Sequence, residues 1–533
     1  DPYREAALLD LYPGLDVIET WTYTNPDPKL MLYVETLRAA CKPTGQIPLN
    51  VVTLLNYPGQ LDPTDQWMLM GPGRTTVTSW INLSRAPKIV GYYYSSECQP
   101  KETDSYKVPY ATSQVIQRLA NSVYRPYGPM ITQLDVAPRR IAVLSSEAAR
   151  THGKSPRLLG GYHNMQIYHF YTVLAMAHLQ ADVVLDETIE RFGLDAYDVL
   201  VLPKCDVLTK KVYDEIMRFR DRGGTVIADQ YLGPEIPGVI RFDFDFTYRR
   251  RVTARAIAEN KAYAKWNDQL EPGSAELQTV KGVTALDDQK IMESYASRLK
   301  TALRGKVDPA VDCDAPTVLL STLTKEDLRY LFVINDRRTY DDRVGKYKAV
   351  LGKLLPQTTK IALRAGDRRN PVAYDLLDRQ RLPVEEADGA FRFTVELTEL
   401  GGKIIALYPA PLGPPRIDAA GTMTAGLPYP IRVVLNDTEG NPLPGLQPVE
   451  LTVTSPSSAS HDLSGYYCAI RGVLDLQLAT AVNDEPGHWK ISVLDLTAGG
   501  KAEHTFDLAT DPQHATPPIT IHVVSESSVI GAK

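Results

Sequence analysis

The chain has 533 residues, more than one hydrophobic core organises, so roughly three to five domains are expected. Its hydrophobic content of 44% and charged content of 23% are those of a globular protein, and a net charge of −6 gives no reason to expect nucleic acid or an anionic membrane as partner. No apolar run reaches the roughly 20 residues of a membrane helix, so no membrane span is predicted.

Residues 1 to about 135 alternate short apolar runs with amphipathic stretches. Leu15–Trp21, Ile47–Leu55 and Lys88–Tyr94 read as strands, and Lys29–Ala40, Thr75–Ala86 and Gln114–Val123 as the helices that follow them. This alternation predicts parallel strands with crossover helices, here the closing part of a (β/α) barrel. Residues 136–246 repeat it with strands at Arg140–Ser145, Ala181–Leu185, Asp198–Leu202, Thr225–Asp229 and Val239–Phe244, a doubly wound, flavodoxin-like α/β domain. The helix after Asp206, with that residue as the expected N-cap, puts Leu208, Val212, Ile216 and Phe219 on one stripe and stops at Gly223-Gly224.

Residues 247–312 are polar, with helices expected at Tyr248–Trp266 and Gln289–Leu303; Arg249-Arg250-Arg251 reads as a solvated face. Beyond them period-2 alternation predicts an antiparallel β-sandwich over 313–410, with strands such as Leu328–Asn335, Phe391–Leu397 and Lys403–Leu407. The Pro-rich stretch Pro409–Pro415 reads as a hinge, and 411–525 as a second sandwich of immunoglobulin-like size. The fold class is thus multidomain α/β plus all-β.

Barrel chemistry sits at the C-terminal ends of strands. Glu19, Trp21 and Tyr23 lie at one such end, Asn56 and Tyr57 at the next, and Glu97 follows the third. Aromatic rings beside carboxylates suit sugars, because rings stack on the apolar faces of pyranoses and carboxylates serve as acid, base or nucleophile. On this reading Glu19 and Glu97 are the catalytic candidates, and Trp21, Tyr23, Asn56, Tyr57 and Trp67 bind the carbohydrate. The plainer alternative makes Trp21, Trp67 and Trp80 core residues and leaves Glu19 and Glu97 merely solvated.

No histidine precedes His152, which excludes a Ser-His-Asp triad or a His-ligated metal within the barrel segment. His163 and His169 are six apart, off a common helical face, and read as structural. Five scattered cysteines (Cys41, Cys98, Cys205, Cys313 and Cys468) form neither a C-x-x-C pair nor an even disulfide set. Cys205 follows a strand as a nucleophile would, but Lys204 and Asp206 flank it where a nucleophile elbow needs small residues. Ser145–Ala149 is not glycine-rich, and Gly160-Gly161 reads as a turn, so neither a dinucleotide nor a phosphate site is predicted. No metal and no cofactor are expected. The opening at Asp1 reads as a fragment boundary with an N-terminal segment before it. Tyr outnumbers Phe by 29 to 10, which with the β-rich tail points to an extracellular or periplasmic protein.

The order of parts over residues 1 to about 410, with strands such as Tyr197–Pro203, resembles the second half of retaining glycoside hydrolases of the β-galactosidase type. The resemblance implies a catalytic barrel, a class I amidotransferase-like domain that lacks the nucleophile and mediates trimer formation, and a small β domain. A homo-oligomer through the flavodoxin-like domain is therefore expected. Residues 416–510, with Pro486–Ile491 as the most typical stretch, resemble an added immunoglobulin- or macroglobulin-type module. Counted back from the flavodoxin-like domain, the three predicted strands would be barrel strands six, seven and eight. The family's nucleophile is a Glu at the tip of strand seven, where this chain has Leu54–Gly59 with Asn56 and no carboxylate. The general acid belongs to strand four, which lies outside the sequence. Two main expectations follow: a glycoside hydrolase-like protein acting on a polysaccharide or glycoconjugate, or a non-catalytic structural or carbohydrate-binding protein with a degenerate barrel. A third reading is an amidotransferase-type enzyme using Cys205.

Overall fold

The computed structural model describes residues 14–22, 27–56, 68–69, 72–93, 110–153, 161–244, 279–280, 283–337, 343–344, 349–350, 354–364 and 371–510. It divides into two compact units, Asp1–Ala410 and Pro411–Lys533.

The first unit opens with β1 (Val17–Thr22), α1 (Asp27–Cys41) and β2 (Ile47–Thr53). A short antiparallel pair, β3 (Leu55–Asn56) and β4 (Met68–Leu69), precedes α2 (Pro72–Leu83) and β5 (Ile89–Tyr93). Strands β1, β2 and β5 are neighbours in one parallel sheet, with Glu19 level with Leu49 and Leu49 level with Ile89. The pleat sends alternate side chains to opposite faces. Ile18, Thr20, Asn50 and Val52 are buried, and Ile18 packs on Leu37 and Cys41 of α1. Val17, Glu19 and Ile89 point the other way and are exposed.

The third predicted helix is longer than its periodicity indicates. It runs from α3 (Tyr110–Leu119) through a π turn at Ala120–Tyr124 into α4 (Arg125–Ile131). Pro126 follows the π turn directly, inside this continuous helix, where it cannot donate a backbone hydrogen bond.

Strand β6 (Asp135–Val136) does not stay with the sheet before it; it pairs antiparallel with a strand of the β-sandwich described below. The α/β layer comprises β7 (Ile141–Ser145), α5 (Glu147–His152), α6 (Gly161–Met176), β8 (Ala181–Leu185), α7 (Asp186–Phe192), β9 (Val199–Leu202), α8 (Lys210–Asp221), β10 (Thr225–Asp229) and β11 (Ile240–Phe242). The sheet is parallel with order β11-β10-β9-β7-β8, a doubly wound arrangement whose switch point lies between β9 and β7. Helix α8 buries Val212, Ile216 and Phe219 against this sheet and ends before Gly223, whose φ of +99 needs a glycine. Its N-cap is not Asp206 but Thr209, whose hydroxyl accepts from the Val212 amide at 3.3 Å.

The predicted helix Tyr248–Trp266 lies outside the described residues. A short hairpin, β12 (Thr279–Val280) and β13 (Val283–Thr284), leads into α9 (Ala285–Leu303), the predicted Gln289–Leu303 helix with one more turn in front. The sandwich strands follow as β14 (Val311–Cys313), β15 (Val318–Lys325), β16 (Leu328–Asn335), β17 (Arg343–Val344), β18 (Ala349–Val350), β19 (Gln357–Arg364), β20 (Val372–Asp375), β21 (Gln380–Leu382), β22 (Glu385–Ala387), β23 (Ala390–Leu397) and β24 (Gly402–Tyr408). Two sheets, β14-β19-β23-β22 and β21-β20-β24-β16-β15-β6, share one core that includes Val333, Ile361, Phe391, Phe393 and Ile405.

The second unit has β25 (Arg416–Asp418), β26 (Thr422–Thr424), β27 (Pro428–Val434), β28 (Leu446–Thr454), β29 (Gly465–Ile470), β30 (Val473–Ala479), β31 (Gly487–Asp495) and β32 (Lys501–Ala509). All eight are linked in the order β25-β27-β30-β29-β28-β31-β32-β26. Trp489 stacks on Phe506 at 6.0 Å between centroids, and Val449, Leu451, Val453, Ile491 and Val493 fill the interior.

Candidate functional site

The three predicted barrel strands lie side by side and point the same way, so their C-terminal ends share one edge. Glu19 is not at the C-terminal edge expected from sequence: it is the third of six residues in β1, level through Leu49 with Ile89, the first residue of β5, and its side chain is exposed on the face opposite the helices. Trp21 follows two residues later in β1, and Asn56 ends β3. Tyr23, Tyr57, Trp67 and Glu97 lie outside the described residues. The sheet's open face also carries exposed Val17 and Ile89, so it combines apolar area with one carboxylate.

The other face is built for rigidity. The Tyr92 hydroxyl lies 2.6 Å from Ser79 Oγ on α2 and also bonds the Tyr124 hydroxyl in the π turn. Burial pushes the Tyr92 phenol well up, so it is neutral and serves as a hydrogen-bonding pin. Trp80 is fully buried and donates its Nε1–H to the Leu400 carbonyl at 2.7 Å, while its ring meets Phe332 edge-on. A Cβ at position 402 would lie 2.5 Å from that ring, which is why Gly402 stands there. Trp80 is therefore a core residue that locks α2 to the sandwich.

Sequence inspection misses the charged cluster behind α1. Glu35 is fully buried, with Arg38 and Arg139 each at 2.8 Å and Arg85 at 3.2 Å. Arg38 also pairs with Asp182 of β8, and Arg139 donates to the Ala181 carbonyl at 2.7 Å. Burial pushes the Glu35 carboxyl up, and the Arg139, Arg38 and Arg85 guanidiniums more than offset it, holding it at about 2. In sequence, Glu35 and Arg38 look like a solvated pair one helical turn apart. They are buried because α1 packs between β1–β2 on one side and β8 with α6 on the other.

At the C-terminal edge of the doubly wound sheet, Lys204 takes the left-handed backbone, φ +53, and its amide donates to Asp229 Oδ2 at 2.7 Å. Cys205 beside it is fully buried, and burial together with the Asp229, Asp186 and Asp206 carboxylates pushes its thiol far up. A thiol so placed is neither nucleophilic nor reachable, so the amidotransferase reading has no chemical support. His169 is buried with its ring 4.5 Å from Tyr168, a core position. His163 belongs to α6. Among the described residues no group of three or more His, Cys, Asp or Glu is placed to hold a metal, and no helix is long and apolar enough to cross a membrane.

Residues 141–233 match the family described as Beta-galactosidase trimerisation domain. The match coincides with the layer from β7 through α8 and β10. Curated proteins give no match. Among solved structures, the chain is similar to alpha-L-fucosidase isoenzyme 2 from Paenibacillus thiaminolyticus at a TM-score of 0.45 and 10% identity, covering 71% of this chain and 62% of that one. It is similar to the β-galactosidase from Bacillus circulans sp. alkalophilus at a TM-score of 0.42 and 13% identity, covering 74% and 60%. For the cold-adapted β-galactosidase from Rahnella sp. R3 the values are 0.43, 12%, 74% and 60%. The chain thus spans 62% and 60% of the length of the first two structures.

Proposed function

We propose, from the match of residues 141–233 to the trimerisation domain of β-galactosidases, that this is a glycoside hydrolase-like protein that handles a polysaccharide or glycoconjugate as an oligomer. That match carries the reading. Support comes from the strand order immediately upstream: three parallel neighbours whose ends share one edge, with Glu19 and Trp21 on the first. Glu19 and Glu97 are the proposed acid, base or nucleophile, and Trp21, Tyr23, Asn56, Tyr57 and Trp67 the proposed sugar-contacting set. The α/β layer is the proposed oligomerising surface, and the proposed compartment is outside the cytoplasm.

A second reading is favoured by one observation. The segment after β2 offers Asn56, an amide, where the resemblance puts a carboxylate nucleophile. An amide cannot form the glycosyl-enzyme intermediate of a retaining mechanism. On this reading the protein binds its glycan without cleaving it.

Full-length protein is incubated with a glycan panel, and released sugar and bound glycan are both measured, with Glu19→Gln and Glu97→Gln alongside. Hydrolysis that either substitution lowers by at least about 100-fold supports catalysis by that carboxylate. Binding that survives prolonged incubation without release supports the second reading. Neither release nor binding on the whole panel sinks both.

A further inference from the structure

Where the α/β layer meets the sandwich, three side chains from two elements form a line. Cys313 Sγ lies 3.3 Å from His178 Nε2, and His178 Nδ1 lies 2.6 Å from Asp312 Oδ1. His178 sits just beyond α6, while Asp312 and Cys313 end β14, more than 130 positions away in the chain. Cys313 is a free, partly exposed thiol, and the imidazole behind it is buried. His178 holds a left-handed backbone, φ +59, which a non-glycine residue keeps only where its surroundings fix it.

We propose that Cys313 is a reactive-thiolate site, held as an ion pair by His178 with Asp312 as the orienting carboxylate, and that it takes hydroperoxides and other small soft electrophiles. The Asp312 carboxylate fixes Nδ1–H and favours the imidazolium, which then faces the sulfur with its second N–H. Burial acts to lower the His178 pKa, but the bonds to Asp312 and Cys313 outweigh it and raise it to about 9. Lys300 of α9 bonds both Asp312 oxygens at 2.6 Å, and Arg85 and Arg139 line the small cavity beside His178. Asp314 faces away, accepting from Thr359 Oγ1 and the Lys360 amide. The opposing contact is the Ala315 carbonyl, 3.3 Å from the sulfur, which suits the neutral thiol.

The same geometry argues against acyl transfer. The Cys313 amide, the natural first donor of an oxyanion hole, is taken by Asp312 Oδ1 at 2.9 Å. Oxidation needs no such hole. The thiolate attacks one oxygen of ROOH, an S–O bond forms and the O–O bond breaks. The departing RO⁻ takes the His178 proton and leaves as ROH. Sulfur is oxidised by two electrons to the sulfenic acid, and the peroxide is reduced by the same two.

The test uses the full chain, iodoacetamide from pH 5.5 to 9, and peptide mapping by mass spectrometry. Cys468, also partly exposed, is the internal reference, and buried Cys41 and Cys205 report that the fold is intact. At pH 6.5 an ordinary thiol with a pKa of about 8.5 is roughly 1% thiolate. Cys313, with the His178 ring 3.3 Å from its sulfur, is expected to react at least about 10-fold faster than Cys468 there. His178→Gln or Asp312→Asn should remove that advantage while Cys41 and Cys205 stay unlabelled. Hydrogen peroxide followed by dimedone should tag Cys313 and spare Cys468. Equal rates at pH 6.5 overturn the proposal, as does an unchanged Cys313 rate in a folded His178→Gln chain. If either variant labels its buried thiols, the wild-type pH profile decides alone: a rate rising only above pH 8 rejects the ion pair.

Discussion

Two parallel sheets in this molecule arise from the same strand–helix alternation and end in opposite conditions. In the doubly wound sheet, β8 and β9 are buried at every position, and β7 and β10 at all but one. In the β1-β2-β5 sheet the helix side is closed, while on the other face, among the described residues, Val51 is buried but Val17 is 36% and Ile89 41% exposed. A parallel sheet is stable when both faces are covered. The first sheet satisfies this through helices on both sides. The second has α1 and α2 on one side only, and α1 is itself buried against β8 and α6. The second sheet is thus held from behind, by Glu35 of α1 and Trp80 of α2.

The contrast makes measurable claims, the largest at the charged cluster. Glu35→Gln leaves Arg38, Arg85 and Arg139 without their shared carboxylate and should cost about 3–5 kcal/mol in denaturant unfolding. A loss below about 1 kcal/mol would show that the cluster does not hold the open sheet in place. Leu200→Ala in the closed sheet should cost about 2–5 kcal/mol by the same measurement.

Acid probes the cluster differently. Glu35 falls from its ordinary 4.5 to about 2 in the folded chain, so its contribution is complete above 4.5 and is lost as pH drops through about 2. The share at stake is on the order of 3 kcal/mol. Denaturation midpoints at pH 6 and pH 3 should differ less in Glu35→Gln than in the parent, and an equal difference would reassign acid sensitivity elsewhere. His178 works in the opposite direction. Its contribution is complete below 6.5 and fades as pH rises through about 9.

Smaller effects follow. Gly402→Ala drives a methyl into the Trp80 ring and should cost about 1–3 kcal/mol, detaching α2 from the sandwich first. Ile89→Ser on the open face should change stability by less than about 0.5 kcal/mol. A substantially larger loss would mean that this face is covered in solution, and the comparison with the doubly wound sheet would fail.

Much of this organisation was legible beforehand. The strands of the α/β layer are continuous apolar runs, and such runs read correctly because burial on both faces leaves no alternation to misplace. The alternating strands of the sandwich, such as Ala390–Leu397, read correctly for the complementary reason that one face is wet. The candidate site was legible only as strand order and residue type. Glu19 and Trp21 sit on a strand whose neighbours were predicted, but sequence does not give the distance between two carboxylates. The N-cap lies three residues beyond Asp206, because Asp206 and Thr209 are both competent caps and only the chain's path selects Thr209.

The sequence by itself determined where strands and helices form, that three parallel strands precede a doubly wound domain, and that β-rich parts follow. These are consequences of local periodicity, which a chain carries whatever it packs against. The tertiary structure alone decided that Asp135–Val136 joins the sandwich, that Glu35 is buried among three arginines, and that His178 meets Asp312 and Cys313. Apart from the neighbouring Glu35–Arg38 pair, each of these joins residues roughly 50 to 190 positions apart, and whether a charge is solvated or paired depends on what the fold places around it.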